Sequence, residues 1–210
     1  MAIFHQLFSI ITRGTHTCTI ATAAYRSGTH LKIKDKKGIV HHFDYTMKSG
    51  IAYKKIAGPH ETTPEWVFDR QKFWEYIENQ DHSSNLNMAV EFTLSLPEEL
   101  SIEQQIAMCE DFIQNSFSKR GIITDSCIHN DHLNNPHLHI LLPVKNLDGS
   151  DCKVDIDGKK VSVQDSFFVH KIREEQAFFI NQYLQKNGFS NFVSHLPQDE
   201  PRYSEMRPWL

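Results

Sequence analysis

Apolar and polar positions alternate most cleanly between Met88 and Leu96. Val90, Phe92, Leu94 and Leu96 share one side and Glu91, Thr93 and Ser95 the other, the period of a strand with one face in a core. The same period recurs in His137-Leu138-His139-Ile140-Leu141-Leu142, where Leu138, Ile140 and Leu142 take one face and the two histidines the opposite one. Ala2 to Ile11 alternates more loosely and reads as a first strand, with His5 on one of its faces. Residues 17–27 (TCTIATAAYRS) are rich in alanine and close on Gly28, which predicts a helix with a glycine just past its end. Leu31–Lys34 and Ile39–Tyr45 predict a hairpin around Asp35-Lys36-Lys37-Gly38. Pro64 opens a helix in which Trp66, Arg70, Phe73, Trp74 and Ile77 keep helical spacing. Ser101-Ile102-Glu103-Gln104 is a capping-box pattern, followed by a stripe of Ile102, Ile106, Cys109, Phe112, Ile113 and Phe117 that Gly121 ends. A polar hairpin is expected within Asn146 to Lys160, and a last helix from about Asp165 to Asn187, stopped by Gly188. Pro197 to Leu210, with three prolines, is expected to be extended. Antiparallel strands interleaved with helices predict an α+β fold, one central antiparallel sheet with helices packed on a face.

The polar run Asn130 to Pro136 has the composition of a loop, so Cys127–His129 and His137–Leu142 are expected to pair as an antiparallel hairpin. His129 then falls opposite His137, with cross-strand Cβ atoms about 4.5–5.5 Å apart. Taken singly, each of these histidines reads as a half-buried strand residue. Three on one sheet face can hold a divalent metal and leave positions open for a substrate, which suits Lewis-acid chemistry better than a structural clamp. His132 ranks behind His129, because no strand fixes its direction.

Length and composition change this picture little. The 210 residues, 40% hydrophobic and 23% charged, suit one globular domain with a core of its own. No apolar run approaches the ~20 residues of a membrane span and the N-terminus lacks the marks of a signal peptide, so membrane insertion is not expected and the cytoplasm is the expected location. Cys18, Cys109, Cys127 and Cys152 are scattered without a CxxC pair, which argues against a zinc knuckle or a disulfide framework. Net charge is −4, but residues 1–60 hold seven Lys and two Arg against two Asp. Lys32, Lys34, Lys36, Lys37, Lys48, Lys54 and Lys55 are therefore either a phosphate-binding flank for nucleic acid or a solvated hairpin with a lysine tip.

A metal on a sheet face needs a reacting partner, and Tyr25, in Ala21-Thr22-Ala23-Ala24-Tyr25-Arg26-Ser27-Gly28, is the candidate. The small residues before it let a helix approach other backbone closely, and Tyr25 beside Arg26 suits a phosphodiester. A phenol is a weak nucleophile at neutral pH, its pKa being ~10. It becomes competent when metal and arginine neutralise the phosphate and a base takes its proton. The plain alternative is a tyrosine packed at the end of a helix.

Six blocks in order resemble the MobA/MobL family of conjugative relaxases, which are HUH-type endonucleases. They are Ala2-Ile3-Phe4-His5, the ATAAYRSG segment, His42-Phe43-Asp44-Tyr45-Thr46, Thr63-Pro64-Glu65-Trp66, the strand Ala89 to Pro97, and Ile128-His129 with Asn135-Pro136-His137-Leu138-His139. The resemblance implies a relaxase domain over residues 1–196 and a tail, or the start of a linker, over 197–210. It implies that Tyr25 attacks the scissile phosphate of single-stranded or melted origin-of-transfer DNA, leaving a 5′-phosphotyrosyl link and a free 3′-hydroxyl. His129, His137 and His139 match the family's metal triad for Mn²⁺ or Mg²⁺, and three imidazoles would also suit Zn²⁺. Glu91 matches the family's acidic strand residue, a partner for a histidine N–H or an acceptor for the tyrosine proton, and Arg26 a contact to the phosphate. Accessory relaxosome proteins and a type IV secretion coupling protein are the implied partners.

The chain departs from the family pattern in two places. Met47-Lys48 stands where an Arg-Lys pair is common, which weakens one DNA contact. The chain also ends where family members continue into helicase, primase or linker regions, as a truncated or excised domain or a stand-alone nickase would. A single helix tyrosine separates it from replication initiators with paired tyrosines, and Tyr45 and Tyr53 are the substitutes. A rolling-circle initiator or transposase of the same chemistry, a catalytically silent DNA-binding module, and a histidine-triad nucleotidyl hydrolase are the competing readings.

Overall fold

A computed structural model describes residues 4–14, 18–59, 61–80, 86–130 and 135–196. The expected start of the first strand at Ala2, the start of the helix at Thr17, His132 and the 197–210 tail lie outside them. Five strands, β1 (Gln6–Thr12), β4 (Ile51–Ala57), β5 (Asn87–Ser95), β6 (Thr124–His129) and β7 (His137–Pro143), form one antiparallel sheet in the order β1-β5-β7-β6-β4. Helices flank both faces, not one. Helices α3 (Ile102–Ser116) and α4 (Ser166–Lys186), with the small hairpin β8 (Lys153–Ile156) and β9 (Lys159–Ser162), cover the face built from Val90, Phe92, Leu94, Leu138, Ile140 and Leu142. Helices α1 (Thr19–Ser27) and α2 (Arg70–Asn79), with the hairpin β2 (His30–Lys34) and β3 (Val40–Asp44), cover Ile56, Ala89 and Leu141 on the other. This is an α+β architecture. Among the described residues no helix is long and apolar enough to cross a membrane.

Three elements differ from their sequence pattern for physical reasons. The stretch after Pro64 is not one helix. A 3-10 turn spans Glu65–Phe68, and Asp69, in extended backbone, accepts a hydrogen bond from the Lys72 N–H at 3.2 Å and starts α2 afresh. The capping box of α3 is present as expected, and Cys109, Phe112, Ile113 and Phe117 of the stripe are buried, but Ile102 and Ile106 are only partly so and Gln105, Met108 and Ser116 join the buried face. Gln105 takes a core position because its amide donates to the carbonyls of Pro97 and Leu100 at 2.8 and 3.2 Å, which satisfies a buried polar group. Strand β4 is absent from the sequence expectation. It is an edge strand whose register on β6 shifts between Ile51 and Tyr53, and that irregularity breaks the alternation by which strands are read.

One buried polar cluster ties the second layer to the sheet. Asp125 of β6 accepts from Arg70 Nε and Nη2 at 2.8 and 2.7 Å and from Trp74 Nε1 at 2.8 Å. Asp125→Ala would leave the guanidinium and indole buried without an acceptor. The expected loss of stability in urea unfolding is about 3–5 kcal/mol; a loss no larger than that of an average surface substitution would contradict this role.

Candidate metal centre

Helix α1 is short, and its two ends are held from outside. At its start, Thr19 donates its N–H and its hydroxyl to Glu78 Oε1, each at 2.5 Å, while Cys18 Sγ accepts from the Ala21 N–H. Along its length, Ala23 and Ala24 are fully buried, and their small side chains let the helix lie close to the sheet. At its end, Gly28 takes the left-handed conformation, φ +56°. A Cβ there would stand 2.3 Å from Ile51 Cδ1, so glycine answers both the backbone and the close approach.

The last carbonyls of a helix have no partner within it. Here three successive ones are met by side chains of the β3–β4 connection, β6 and β4. Lys48 Nζ donates to Tyr25 O at 3.2 Å, His129 Nε2 to Arg26 O at 2.6 Å and Lys54 Nζ to Ser27 O at 3.1 Å. Positive charge at the C-terminal end also suits the helix dipole.

The hairpin pairs in the expected register, with His129 directly opposite His137. The metal-binding atoms of His129, His137 and His139 all lie within 4.8 Å of one another, and the three rings stand 4.5–5.3 Å apart by centroid. Each ring has one nitrogen engaged by an acceptor: His129 Nε2 by the Arg26 carbonyl, His137 Nδ1 by the Asn135 carbonyl at 2.8 Å, His139 Nδ1 by Glu91 Oε1 at 2.9 Å. Assigning the N–H to the engaged nitrogen leaves a lone pair on Nδ1 of His129 and on Nε2 of His137 and His139. His139 Nε2 is buried and has no hydrogen-bond partner, a cost that a metal at this point would remove. Burial pushes His129 down to about 4, against the hydrogen bond to the Arg26 carbonyl, and burial also lowers His139 despite Glu91. Both are neutral at neutral pH, the form a metal requires. The donor set therefore fits a divalent cation.

Glu91 sits behind this cluster. It is 4% exposed, paired with Arg26 through Nε at 2.6 Å and Nη2 at 3.1 Å, and bonded to His139. Burial alone would raise its pKa, but the hydrogen bonds from His139 and Arg26 hold it below the usual carboxylate range. It thus orients a histidine of the candidate metal cluster, an arrangement common around metal ligands. Arg26, expected at a phosphate, is committed to Glu91 on its side-chain side and to His129 through its carbonyl.

Tyr25 projects outward, 44% exposed. Its ring meets Tyr45 edge-on at 5.2 Å and has Lys48 Nζ 3.8 Å and Arg26 Cζ 5.3 Å from its centroid. Among the described residues nothing hydrogen-bonds to its hydroxyl. Tyr53 is on the opposite side of the sheet, donating to Glu110 Oε1 at 3.1 Å, and burial followed by Glu110 raises its pKa; it is no substitute at this site. The lysines divide. Lys48 and Lys54 adjoin the end of α1; Lys32, Lys34, Lys36 and Lys37 lie on the β2–β3 hairpin and its turn. Lys55 belongs with Glu110, 2.8 Å away on the α3 face, and is corrected out of the basic flank, because neighbours along a strand point to opposite faces. Thr93 was missed as a site residue. Its hydroxyl is 3.1 Å from His139 Nδ1, and its alternation with Glu91 was the available signal.

Comparison with known proteins adds a family context. The model described as "MobA/MobL family" matches residues 17–200. A conjugal transfer protein TraA of Rhizobium radiobacter is 30% identical over 173 residues, 78% of this chain and 15% of that protein. A mobilization protein MobL of Acidithiobacillus ferridurans is 30% identical over 129 residues, 61% of this chain and 32% of that protein. The chain thus spans well under half the length of these relatives. A chain of the solved structure "Molecular Basis of Vancomycin Resistance Transfer in Staphylococcus aureus" superposes with a TM-score of 0.80 at 23% identity, covering 93% of this chain and 100% of that one, which shows a shared fold.

Two substitutions test the centre by calorimetric titration with Mn²⁺. His139→Ala is expected to abolish binding, and Glu91→Gln to weaken it by about 10- to 100-fold, the usual effect of losing a partner behind a metal ligand. Unchanged affinity in both variants would exclude this cluster as the metal site.

Proposed function

This chain belongs to the MobA/MobL family, and from that premise we propose that it is a metal-dependent DNA strand transferase. It nicks and rejoins one strand at an origin of transfer through Tyr25. The observation that carries the reading is the juxtaposition at the end of α1: Tyr25 is joined by one peptide bond to the residue whose carbonyl holds His129, a member of the metal cluster. The substrate is single-stranded or locally melted origin DNA, and the relaxosome and secretion partners follow from the family rather than from any surface described above.

The chemistry is a transesterification. The Tyr25 oxygen forms a bond to the scissile phosphorus and loses its proton to solvent, to which its half-exposed side chain is open. The bond from phosphorus to the 3′ oxygen breaks, and that oxygen takes up a proton. The products are a 5′-phosphotyrosyl ester and a 3′-hydroxyl; the reverse attack by a 3′-hydroxyl rejoins the strand without an energy source. A divalent cation held by Nδ1 of His129 and Nε2 of His137 and His139, Mn²⁺ or Mg²⁺ with Zn²⁺ as an alternative, would supply charge neutralisation and orientation of the phosphate. Glu91 fixes the tautomer of His139, and Arg26 fixes Glu91. Lys48, whose ammonium stands over the Tyr25 ring, would add positive charge beside the phosphate.

Single-stranded oligonucleotides tiling the DNA beside the gene provide the test. With Mn²⁺, one of them should yield a covalent protein–DNA adduct on a denaturing gel. The adduct should vanish with EDTA and with Tyr25→Phe. Cleavage that persists in Tyr25→Phe would move the nucleophile elsewhere. Tight binding without cleavage by the wild type would favour a silent DNA-binding module.

A further inference from the structure

The histidines of the candidate metal cluster share their sheet face with His5, Leu7, Ser9 and Ser95, to which no role has been given. Strand β1 extends the register by one pair, Ser95 N–H donating to His5 O at 3.0 Å and His5 N–H to Ser95 Oγ at 2.8 Å. His5, Ser95, His137 and His129 therefore stand in one row across the sheet, and Leu7, Thr93, His139 and Cys127 in the next. Residues directly opposite one another share a face. Contacts of the alternate residues confirm which face it is. The Arg173 guanidinium of α4 sits 4.6 Å from the Phe4 ring, Gln6 Nε2 donates to Val169 O of α4, and Phe8 meets Phe92 in the α3–α4 core. His5, Leu7 and Ser9 thus turn the other way, toward the histidines.

Helices α1 and α2 cover this face over Ile56, Ala89 and Leu141, but their cover ends short of the β1–β5 corner. Leu7 is 55% exposed, His5 is exposed, and Ser9, Thr93 and Ser95 are half-buried. An open shelf runs from His139 across β5 to the sheet edge. With strands about 4.8 Å apart, His5 lies two spacings, roughly 10 Å, from His137. None of the five shelf residues carries a carboxylate, so nothing on the shelf repels a phosphodiester chain. One exposed leucine is ordinary; a leucine and an imidazole in register with the histidine cluster, on an uncovered stretch of the same face, are a continuation of that site.

We infer that this shelf is a nucleotide subsite, receiving a base next to the scissile phosphate. The base lies on His5 and Leu7, while Ser9 and Thr93 offer hydroxyls to the sugar–phosphate chain. The inference rests on the nicking reading, because it extends the same strand from the same phosphate. Stacking on a flat imidazole tolerates any base, so the subsite positions the strand, and its contribution to sequence choice is small.

The test uses the oligonucleotide that the wild type cleaves, end-labelled for fluorescence anisotropy, and versions with a single abasic position stepped along both sides of the cut. His5→Ala and Leu7→Ala are each expected to weaken binding about fivefold, the lower end of a lost base stack, and to leave Mn²⁺ affinity and thermal unfolding unchanged. At one position beside the cut, removal of the base should weaken wild-type binding similarly. There it should add little to the variants, because both changes delete the same contact. Unchanged binding in both variants, or full additivity at every abasic position, overturns the subsite while leaving nicking intact. A wild type that neither binds nor cleaves any oligonucleotide overturns the nicking reading, and the subsite with it.

Discussion

The last turn of α1 is the constraint on which the site depends. A helix of nine residues is too short to hold its position alone, and its final carbonyls need donors. Those donors come from Lys48 of the β3–β4 connection, His129 of β6 and Lys54 of β4. The bond that satisfies Arg26 O also sets the tautomer of a histidine in the candidate metal cluster. The Arg26 side chain meanwhile reaches Glu91, which sets the tautomer of a second. Helix end and metal cluster are therefore one hydrogen-bonded unit, and Tyr25 is carried on it.

The sheet separates stability from chemistry by its two-residue period. Leu138, Ile140 and Leu142 face the aromatic core of Phe92, Phe112, Phe117 and Phe168, while His137 and His139 face the site on the same strand. A change on one face need not disturb the other. The site face holds a carboxylate almost wholly buried and an imidazole nitrogen with no partner. Arg26 offsets the first. A bound cation would offset the second, which ties the stability of this corner of the fold to metal.

Much of this was legible before the structure. The hairpin register, with His129 opposite His137, followed from alternation and a loop-like Asn130–Pro136 segment. The Gly28 stop placed Tyr25 and Arg26 in a final helical turn, and strand parity set Glu91 on the face opposite Val90 and Phe92. What alternation could not supply was cover. It did not reveal that Glu91 is buried beneath the end of α1, so Glu91 read nearly as well as an exposed carboxylate. Nor did it reveal β4, whose register shift spoils the period, or the assignment of Lys55 to the opposite face, which depends on that strand. The pairing of Arg26 with Glu91 spans 65 positions in sequence, and nothing local encodes it.

The measurement that tests the account most directly is an anomalous difference map from a crystal of the protein grown with Mn²⁺. The account predicts a peak at bonding distance from Nδ1 of His129 and from Nε2 of His137 and His139, with Glu91 still bridging His139 and Arg26. The Tyr25 side chain should lie on the open side of that peak. No peak at saturating Mn²⁺, or a peak not bonded to His129 Nδ1, would contradict the claim that the helix end and the metal cluster form one unit.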